Sequence, residues 1–478
     1  MKNIKLFVGL LLIVIVGCTN DSMEEVNKDY NALSEVNPIF LINGTLATLV
    51  AEDFQIEDWG HHVAYKNFNP GLYENFDATT PWNEIYLANK NLLEVIKSTS
   101  KKETLSDRTA HAMALVIRST LFITLTDAYG DVPYSEAGFE DENGIIETPI
   151  YDKQKDIYLD CFEKLTEALE LIGESDKILL GEADYIYKED LQKWKVFANT
   201  VRLRMALRIS NVDSGLSEKW FDEVAKFPII NSHEQSAKFE RFDEAGYRNP
   251  LWTSTVHTFF MSKLMVDFLK DTNDPRLALF AKPNANNEYV GLENGRDFVD
   301  IALYSRMGDE LSRADRATPI LLYDEVCFIK AEMYLRGLGG VQDQNLANEW
   351  YQKGIRASME NYNIEEFTIS NYLLNNPFAT LNGNEEDMKE QIGVQKWLAN
   401  IQNGYESYAD MRRSGYPIIA DRINNSTPEV SLGETKGKLP RRLKYPDNEM
   451  FYNSVNYNKA REATDGNSFL ARMWWDVK

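Results

Sequence analysis

The chain has 478 residues, 44% of them hydrophobic, and a formal charge of −23 from 51 Lys and Arg against 74 Asp and Glu. So acidic a body repels polynucleotides and anionic head groups, which argues against a nucleic-acid partner. The composition is globular with ample material for a core, and the length fits two or three domains or one continuous array of helical repeats.

The N-terminus opens with Lys2 and Lys5, and Phe7 to Val16 is almost continuously apolar. That run is shorter than the roughly 20 residues a spanning helix needs and fits a secretory signal. Ile15-Val16-Gly17-Cys18 resembles the bacterial lipobox, in which a cysteine thiolate takes up a diacylglycerol before cleavage. Ile15 and Val16 stand where a leucine and a small residue are commoner; the alternative is an ordinary signal peptide with a chance cysteine. The expectation is a signal peptide over 1–17, lipid on Cys18, a polar acidic tether over 18–37 and a single domain over 38–478. Cleavage removes two lysines and no acid, taking the charge from −23 to −25. No other stretch reads as long and apolar enough to span a bilayer.

Helical periods then follow. Over 82–98, Ile85, Asn89, Leu92, Leu93 and Ile96 share one side; 109–128 is nearly apolar and reads as a buried helix. Ile157, Cys161, Leu165 and Leu169 recur every four residues, and Trp194, Phe197, Val201 and Met205 follow at spacings of three, four and four. Further helices are predicted over 256–270, 321–338, 345–361 and 390–412. The pair 321–338 and 345–361, joined by Gly337-Leu-Gly-Gly340 with Gly354 and Ala357 at the crossing, resembles a tetratricopeptide unit. Between helices lie long segments rich in Asn, Gly, Pro, Asp and Tyr: 53–81, 130–152, 272–318, 362–388 and 414–470. Loops of that length on a rigid scaffold are usually functional. The fold class is therefore mostly α, a tetratricopeptide-like scaffold with long irregular loops and few short strands. Cys161 and Cys327 face inward on helices; pairing in an oxidising envelope is open, and buried free thiols are the expectation.

Motifs for chemistry are scarce. No phosphate loop, dinucleotide fingerprint or nucleophile elbow occurs. His233-Glu234 begins a zinc motif that ends at Ala237, and the adjacent His61 and His62 diverge in direction. Asp271, Asn273 and Asp274 hint at a calcium loop, but Arg276 and Lys282 occupy its glycine and acid positions, so a helix-ending Asp-Pro turn is the better reading. No catalytic residue, metal or cofactor is expected. The basic cluster 436–444 and Arg412-Arg413 read as arginines pairing with carboxylates inside a structured region.

Seven segments complete the picture: TDAYGDVPYSEAG (126–138), NDPRL (273–277), EVCFIKAEMYLRG (325–337), YQKGIRASME (351–360), IGVQKWLANIQNGYESYADMRRSGYP (392–417), LPRRLKYPDNE (439–449) and MWWD (473–476). With the lipobox, this set resembles the SusD/RagB family of nutrient-binding outer-membrane lipoproteins, in its branch with Gln-Lys-Trp, Arg-Arg-Ser-Gly-Tyr-Pro and Trp-Trp-Asp signatures. The resemblance implies a tetratricopeptide-like scaffold on the outer face of the outer membrane, tethered by lipid. It also implies a lid over a SusC-like TonB-dependent barrel, capturing an oligosaccharide or, in some members, a peptide, without covalent chemistry. A surface glycoside hydrolase, using two acids about 5–10 Å apart, is the alternative from another class.

A sugar-capturing face needs flat rings flanked by amide, acid or guanidinium groups. Two loops have that mixture: Trp59, His61, Tyr65, Asn67, Tyr73 and Asn75 in the first, and Asn287, Tyr289, Asn294, Arg296, Tyr304 and Arg306 in the second. Trp82, Trp397, Trp474 and Trp475 are assigned to the core.

Overall fold

The computed structural model describes residues 38–50, 54–65, 79–141, 144–173, 184–252, 259–296, 300–422 and 433–478. Cys18 and the tether lie outside the described residues, as do Asn67, Tyr73 and Asn75.

The first half is built from α1 (Pro38–Leu46), α2 (Phe54–Trp59), α3 (Thr79–Ser98), α4 (Leu105–Tyr129), α5 (Gln154–Leu171), α6 (Leu191–Arg208) and α7 (Ser214–Val224). The second half adds α8 (Lys263–Asp271), α9 (Leu277–Phe280), α10 (Tyr323–Arg336), α11 (Gln344–Glu360), α12 (Glu366–Asn375), α13 (Glu385–Ala399), α14 (Gly404–Ser414), α15 (Glu449–Tyr452) and α16 (Ser454–Glu462). From α3 to α7 each helix packs on the next; α10 packs on α11, and α13 closes against both α10 and α14. The predicted faces of α5 and α6 are buried throughout, from Ile157 to Leu169 and from Trp194 to Met205. On α3 the buried stripe runs through Ile85, Ala88, Asn89, Leu92 and Val95, leaving Leu93 and Ile96 half-buried.

α4 is the axis of this half. Thr104 and Asp107 start it with a reciprocal capping box, the Asp107 N–H donating to Thr104 Oγ1 at 3.0 Å. Contrary to expectation, its length and composition suffice to cross a membrane, but the helix is enclosed by its neighbours. Its polar side chains are satisfied within the fold: Arg118 Nε donates to Asn89 Oδ1 at 2.8 Å, and its guanidinium lies 4.3 Å from the Tyr134 ring.

The α10–α11 pair behaves as predicted. α10 ends at Gly337, the chain doubles back with the Asp343 N–H donating to the Tyr334 carbonyl, and Gly354 lies against the Phe328 ring. A Cβ on Gly354 would fall 2.6 Å from Phe328 Cε1, so only glycine permits this approach.

Two predicted helices differ. The segment 256–270 holds strand β7 (Phe259–Met261) before α8, because Phe259, Phe260 and Met261 pair antiparallel with β1 (Val63–Tyr65). The segment 390–412 is two helices broken at Asn400–Asn403, after which Gly404 meets α2; a Cβ there would lie 2.5 Å from Ile56 Cγ2. Four predicted loops contain helices: α2 lies within 53–81, α9 within 272–318, α12 within 362–388, and α15 and α16 within 414–470. The remaining strands form short antiparallel pairs, β2 (Val132–Pro133) with β5 (Tyr151–Asp152), β3 (Glu140–Asp141) with β4 (Gly144–Ile145), and β6 (Ala237–Phe239) with β8 (Thr318–Leu321).

The C-terminal signatures are packing devices. Arg413 is buried and bridges Glu332 at 2.7 Å and Asp410 at 2.8 Å. Lys396 reaches Asp410 at 3.0 Å, and Arg208 reaches Glu406 at 2.5 Å. Trp475 Nε1 donates to Asp127 at 2.7 Å. In the basic cluster, Arg441 pairs with Asp476, Lys444 with Glu434 at 2.6 Å, and Arg442 Nε donates to the Tyr129 carbonyl at 2.9 Å. The Asp-Pro turn is equally structural: Asp274 holds the buried Arg276 at 2.6 Å, and Arg276 also donates to Ser358 and Gln395. Cys161 and Cys327 are free and buried, and burial pushes both thiols up to about 12.

A loop-built candidate binding face

The two predicted loops meet. Beyond the β1–β7 pairing, the Met261 N–H donates to the Ser305 carbonyl at 3.0 Å, and the Leu292 N–H donates to that of Met261 at 2.9 Å. Ser262 and His62 join at 3.2 Å, and Val290 accepts from the Ser305 N–H at 2.7 Å. Segments 61–65, 259–263, 290–296 and 300–307 thus form one irregular sheet-like platform. The buried Asn294 ties it together, its amide donating to Asp58 Oδ1 at 2.9 Å and the Val63 carbonyl at 2.7 Å. Arg422 anchors the same Asp58 at 2.6 Å.

The predicted site residues divide on this platform. Trp59 is 2% exposed, edge-on to Tyr408 at 5.5 Å and Phe469 at 5.9 Å, and offers no face to a ligand. The apolar side of α2 packs onto α14, which takes Trp59 inward. His61 is buried, its carbonyl accepts from Ser262 Oγ, and burial, with Arg422 and His62 nearby, lowers its pKa well below the ordinary value and keeps it neutral. Trp59, His61 and Asn294 therefore position the platform and do not line its surface. Tyr65, Tyr289, Tyr304 and Arg306 are half-buried. The Tyr65 ring lies 5.0 Å from Phe259, Tyr304 packs against Ala64, Phe260 and Leu292, and the Arg306 guanidinium lies 5.2 Å from the Phe260 ring.

A third segment, 241–252, was not singled out from sequence and carries exposed rings. Phe242, Tyr247 and Trp252 are 39, 45 and 44% exposed. Phe242 and Tyr247 flank Tyr185 at 5.8 and 6.0 Å. Arg248 lies 3.9 Å over the Trp252 ring, with Nε on Asp243 at 2.7 Å. Asn249 pins the segment: its N–H donates to the Ala314 carbonyl at 2.8 Å and its amide to that of Leu311 at 2.9 Å. Leu251 packs in one cluster with Val63, Phe259, Met307 and Leu311, so this segment and the platform share a core. The signal in FERFDEAGYRNPLW is aromatic residues interleaved with charged ones. An aromatic ring that stays open beside a guanidinium and carboxylates suits stacking against a sugar's C–H face, with polar groups for its hydroxyls.

Beneath the platform, Glu57, His62 and Ser407 imitate an acid–base–nucleophile order, with His62 Nδ1 2.5 Å from Glu57 and Nε2 3.3 Å from Ser407 Oγ. Nε2 also lies 2.9 Å from the Trp397 carbonyl, which accepts the hydrogen bond from its N–H. His62 is 0% exposed and Ser407 1%, so this is a buried strut rather than a reactive centre. Among the described residues no cluster of His, Cys, Asp and Glu could hold a metal ion.

Packed helix pairs carrying long loops define a mostly helical scaffold. The chain belongs to the SusD-like_2 family, described as starch-binding associating with outer membrane, whose model matches residues 30–446. No curated protein matches the sequence. Among solved structures, a chitin-binding protein is similar at TM-score 0.79 and 28% identity, covering 92% of this chain and 100% of its own. A chitin-binding SusD homolog from Flavobacterium johnsoniae follows at TM-score 0.77 and 23% identity, covering 91% of this chain and 99% of its own. A SusD-like protein from Bacteroidetes stands at TM-score 0.79 and 21% identity, covering 93% and 100%. The latter two likenesses bear on fold alone, which matches the mostly helical scaffold expected from sequence.

Proposed function

We propose that this chain is a cell-surface lipoprotein that captures an oligosaccharide and delivers it, as a lid, to a TonB-dependent barrel of the SusC type. The observation that carries the reading is the exposed group Phe242, Tyr247 and Trp252, on a segment pinned by Asn249 with Arg248 and Asp243 at its edge. The family description and the chitin-binding name of one similar structure support a glycan over a peptide. Tyr65, Tyr289, Tyr304 and Arg306, with Asn67 and Tyr73, flank the bound chain; lipid on Cys18 holds the protein to the outer membrane, and the following tether lets it swing. No covalent step is part of this role.

Isothermal titration of the purified protein against malto- and chito-oligosaccharides and a peptide library tests it. Saturable sugar binding is expected, weakened about tenfold or more by Trp252→Ala, equivalent to roughly 1.4 kcal/mol. Saturable peptide binding with no sugar response would overturn the glycan reading. Cys18→Ala should leave affinity unchanged and release the protein from the membrane fraction; retention there would sink the lipid anchor.

A further inference from the structure

On α13, Asp387, Glu390, Val394 and Trp397 follow at spacings of three, four and three, so they share one face of the helix. That face forms one side of a groove of about 420 Å3, whose other sides are Leu264 and Phe268 of α8, Phe378 and the edge Pro417–Ile418. Val394 and Trp397 are buried, while Phe378 and Ile418 are 41 and 66% exposed. The Phe378 ring stands edge-on to Phe268 at 6.2 Å, which braces that wall. Apolar surface continues beyond it. α12, which leads into Phe378, leaves Phe367 and Leu374 81 and 84% exposed, more than any other large hydrophobic side chain among the described residues.

The charge of the groove is one-sided. Asp387 and Glu390 line it, and among the described residues no cation does. Asp387 caps its own helix, accepting from the Asn384 N–H at 2.9 Å. Glu390 has neither a hydrogen bond nor an ion pair among the described residues. Apolar walls with carboxylates beside them suit a large apolar side chain next to a cation. They oppose an anionic membrane surface, and a second copy of a chain charged −23 brings the same sign. The Trp397 indole is 2% exposed and has no open face for a sugar. A protein loop carrying Leu, Phe or Trp beside Lys or Arg satisfies both the walls and the acids.

The groove also borders the capturing platform. Leu264, Phe268, Val394 and Trp397 belong to the cluster that holds Val63, Phe259 and Tyr289. Lys270, near the end of α8, donates to the Tyr289 carbonyl at 3.0 Å. A partner seated there lies next to the captured chain, where a lid has to close. We propose that this groove is the contact through which the transporter holds the chain: an extracellular loop of the SusC-type barrel sets a large apolar side chain between Phe378, Ile418 and α13, and a lysine or arginine beside it pairs with Glu390. The inference rests on the transporter partnership proposed above and adds to it the surface and the chemistry of the contact.

The test extracts the tagged, full-length chain in mild detergent from cells that carry it naturally, and quantifies the co-purifying TonB-dependent barrel by mass spectrometry. Wild type is expected to retain the barrel, and Ile418→Asp to retain at least about tenfold less. Glu390→Lys should lower retention about tenfold, and Glu390→Gln by roughly threefold or less. Sugar affinity by isothermal titration and the melting temperature should be unchanged in all three variants, because Ile418 is exposed and Glu390 unpaired. Equal retention of the barrel by wild type, Ile418→Asp and Glu390→Lys overturns the groove as the contact and leaves the partnership standing. Loss of sugar or peptide affinity in these variants, with the barrel retained, makes the groove a nutrient subsite and equally overturns the proposal. A wild-type chain that brings no barrel with it overturns the partnership itself.

Discussion

Arginine serves two regions of this molecule in opposite ways. Under the helices, Arg413 is 2% exposed and lies between Glu332 and Asp410, each within 2.8 Å. On the loop face, Arg248 lies over a Trp252 ring that is 44% exposed and holds the exposed Asp243. A buried charge is tolerated because its partners are buried with it, so each member depends on the others. An exposed cation on a ring is worth little to folding and leaves the ring available. The scaffold is specified by groups that compensate one another, and the face by groups whose remaining contacts can be made by a ligand.

Breaking that contrast should start with Arg413→Ala. It leaves Glu332 and Asp410 without their shared partner and is expected to cost about 3–5 kcal/mol in urea denaturation. A shift well under about 1 kcal/mol would show that the network is incidental. Acid probes the same network. Burial alone would raise the Glu332 carboxyl, yet Arg413 and Arg336 hold it down at about 2, against 4.5 when unperturbed. A carboxyl lowered in the fold stabilises the protein above its unfolded value, and that contribution disappears as pH falls through the folded one. Stability should therefore decline between about pH 4.5 and pH 2 in the wild type, and less steeply in Arg413→Ala, when followed by denaturant midpoints across pH.

A smaller effect tests close packing without charge. Gly354→Ala places a methyl 2.6–2.8 Å from three atoms of the buried Phe328 ring. Separating α10 from α11 to relieve this should cost about 1–3 kcal/mol, measurable as a lowered melting temperature. Wild-type stability in that variant would mean the ring can turn aside.

The same contrast explains what could be read from the sequence. The α10–α11 pair, the faces of α5 and α6 and the buried α4 were legible because local period and caps are written within each segment. Phe259–Met261 was misassigned because a short apolar run suits helix or strand, and its partner Val63–Tyr65 is far away in the chain. The site was legible as loops and less so as residues. Trp59 has the right chemistry, but Tyr408 and Phe469, which bury it, arrive from the C-terminal region. Asn294 looked like a sugar-binding amide and instead spends its donors on Asp58 and Val63. Trp252 and its neighbours escaped notice because 241–252 lies outside the five long segments that loop length marked.

Trp252→Ala separates the two regions most directly, and its expected effect on folding is the smallest. The ring is half open, the guanidinium of Arg248 lies over it, and that guanidinium keeps Asp243 when the ring is gone. Stability should therefore stay within about 0.5 kcal/mol of wild type. Sugar affinity should fall all the same, because the stacking surface is lost while Asn249 still fixes the backbone through Leu311 and Ala314. A variant that melts several degrees lower would place Trp252 with the scaffold, and the division between compensated interior and open face would have to be redrawn around it.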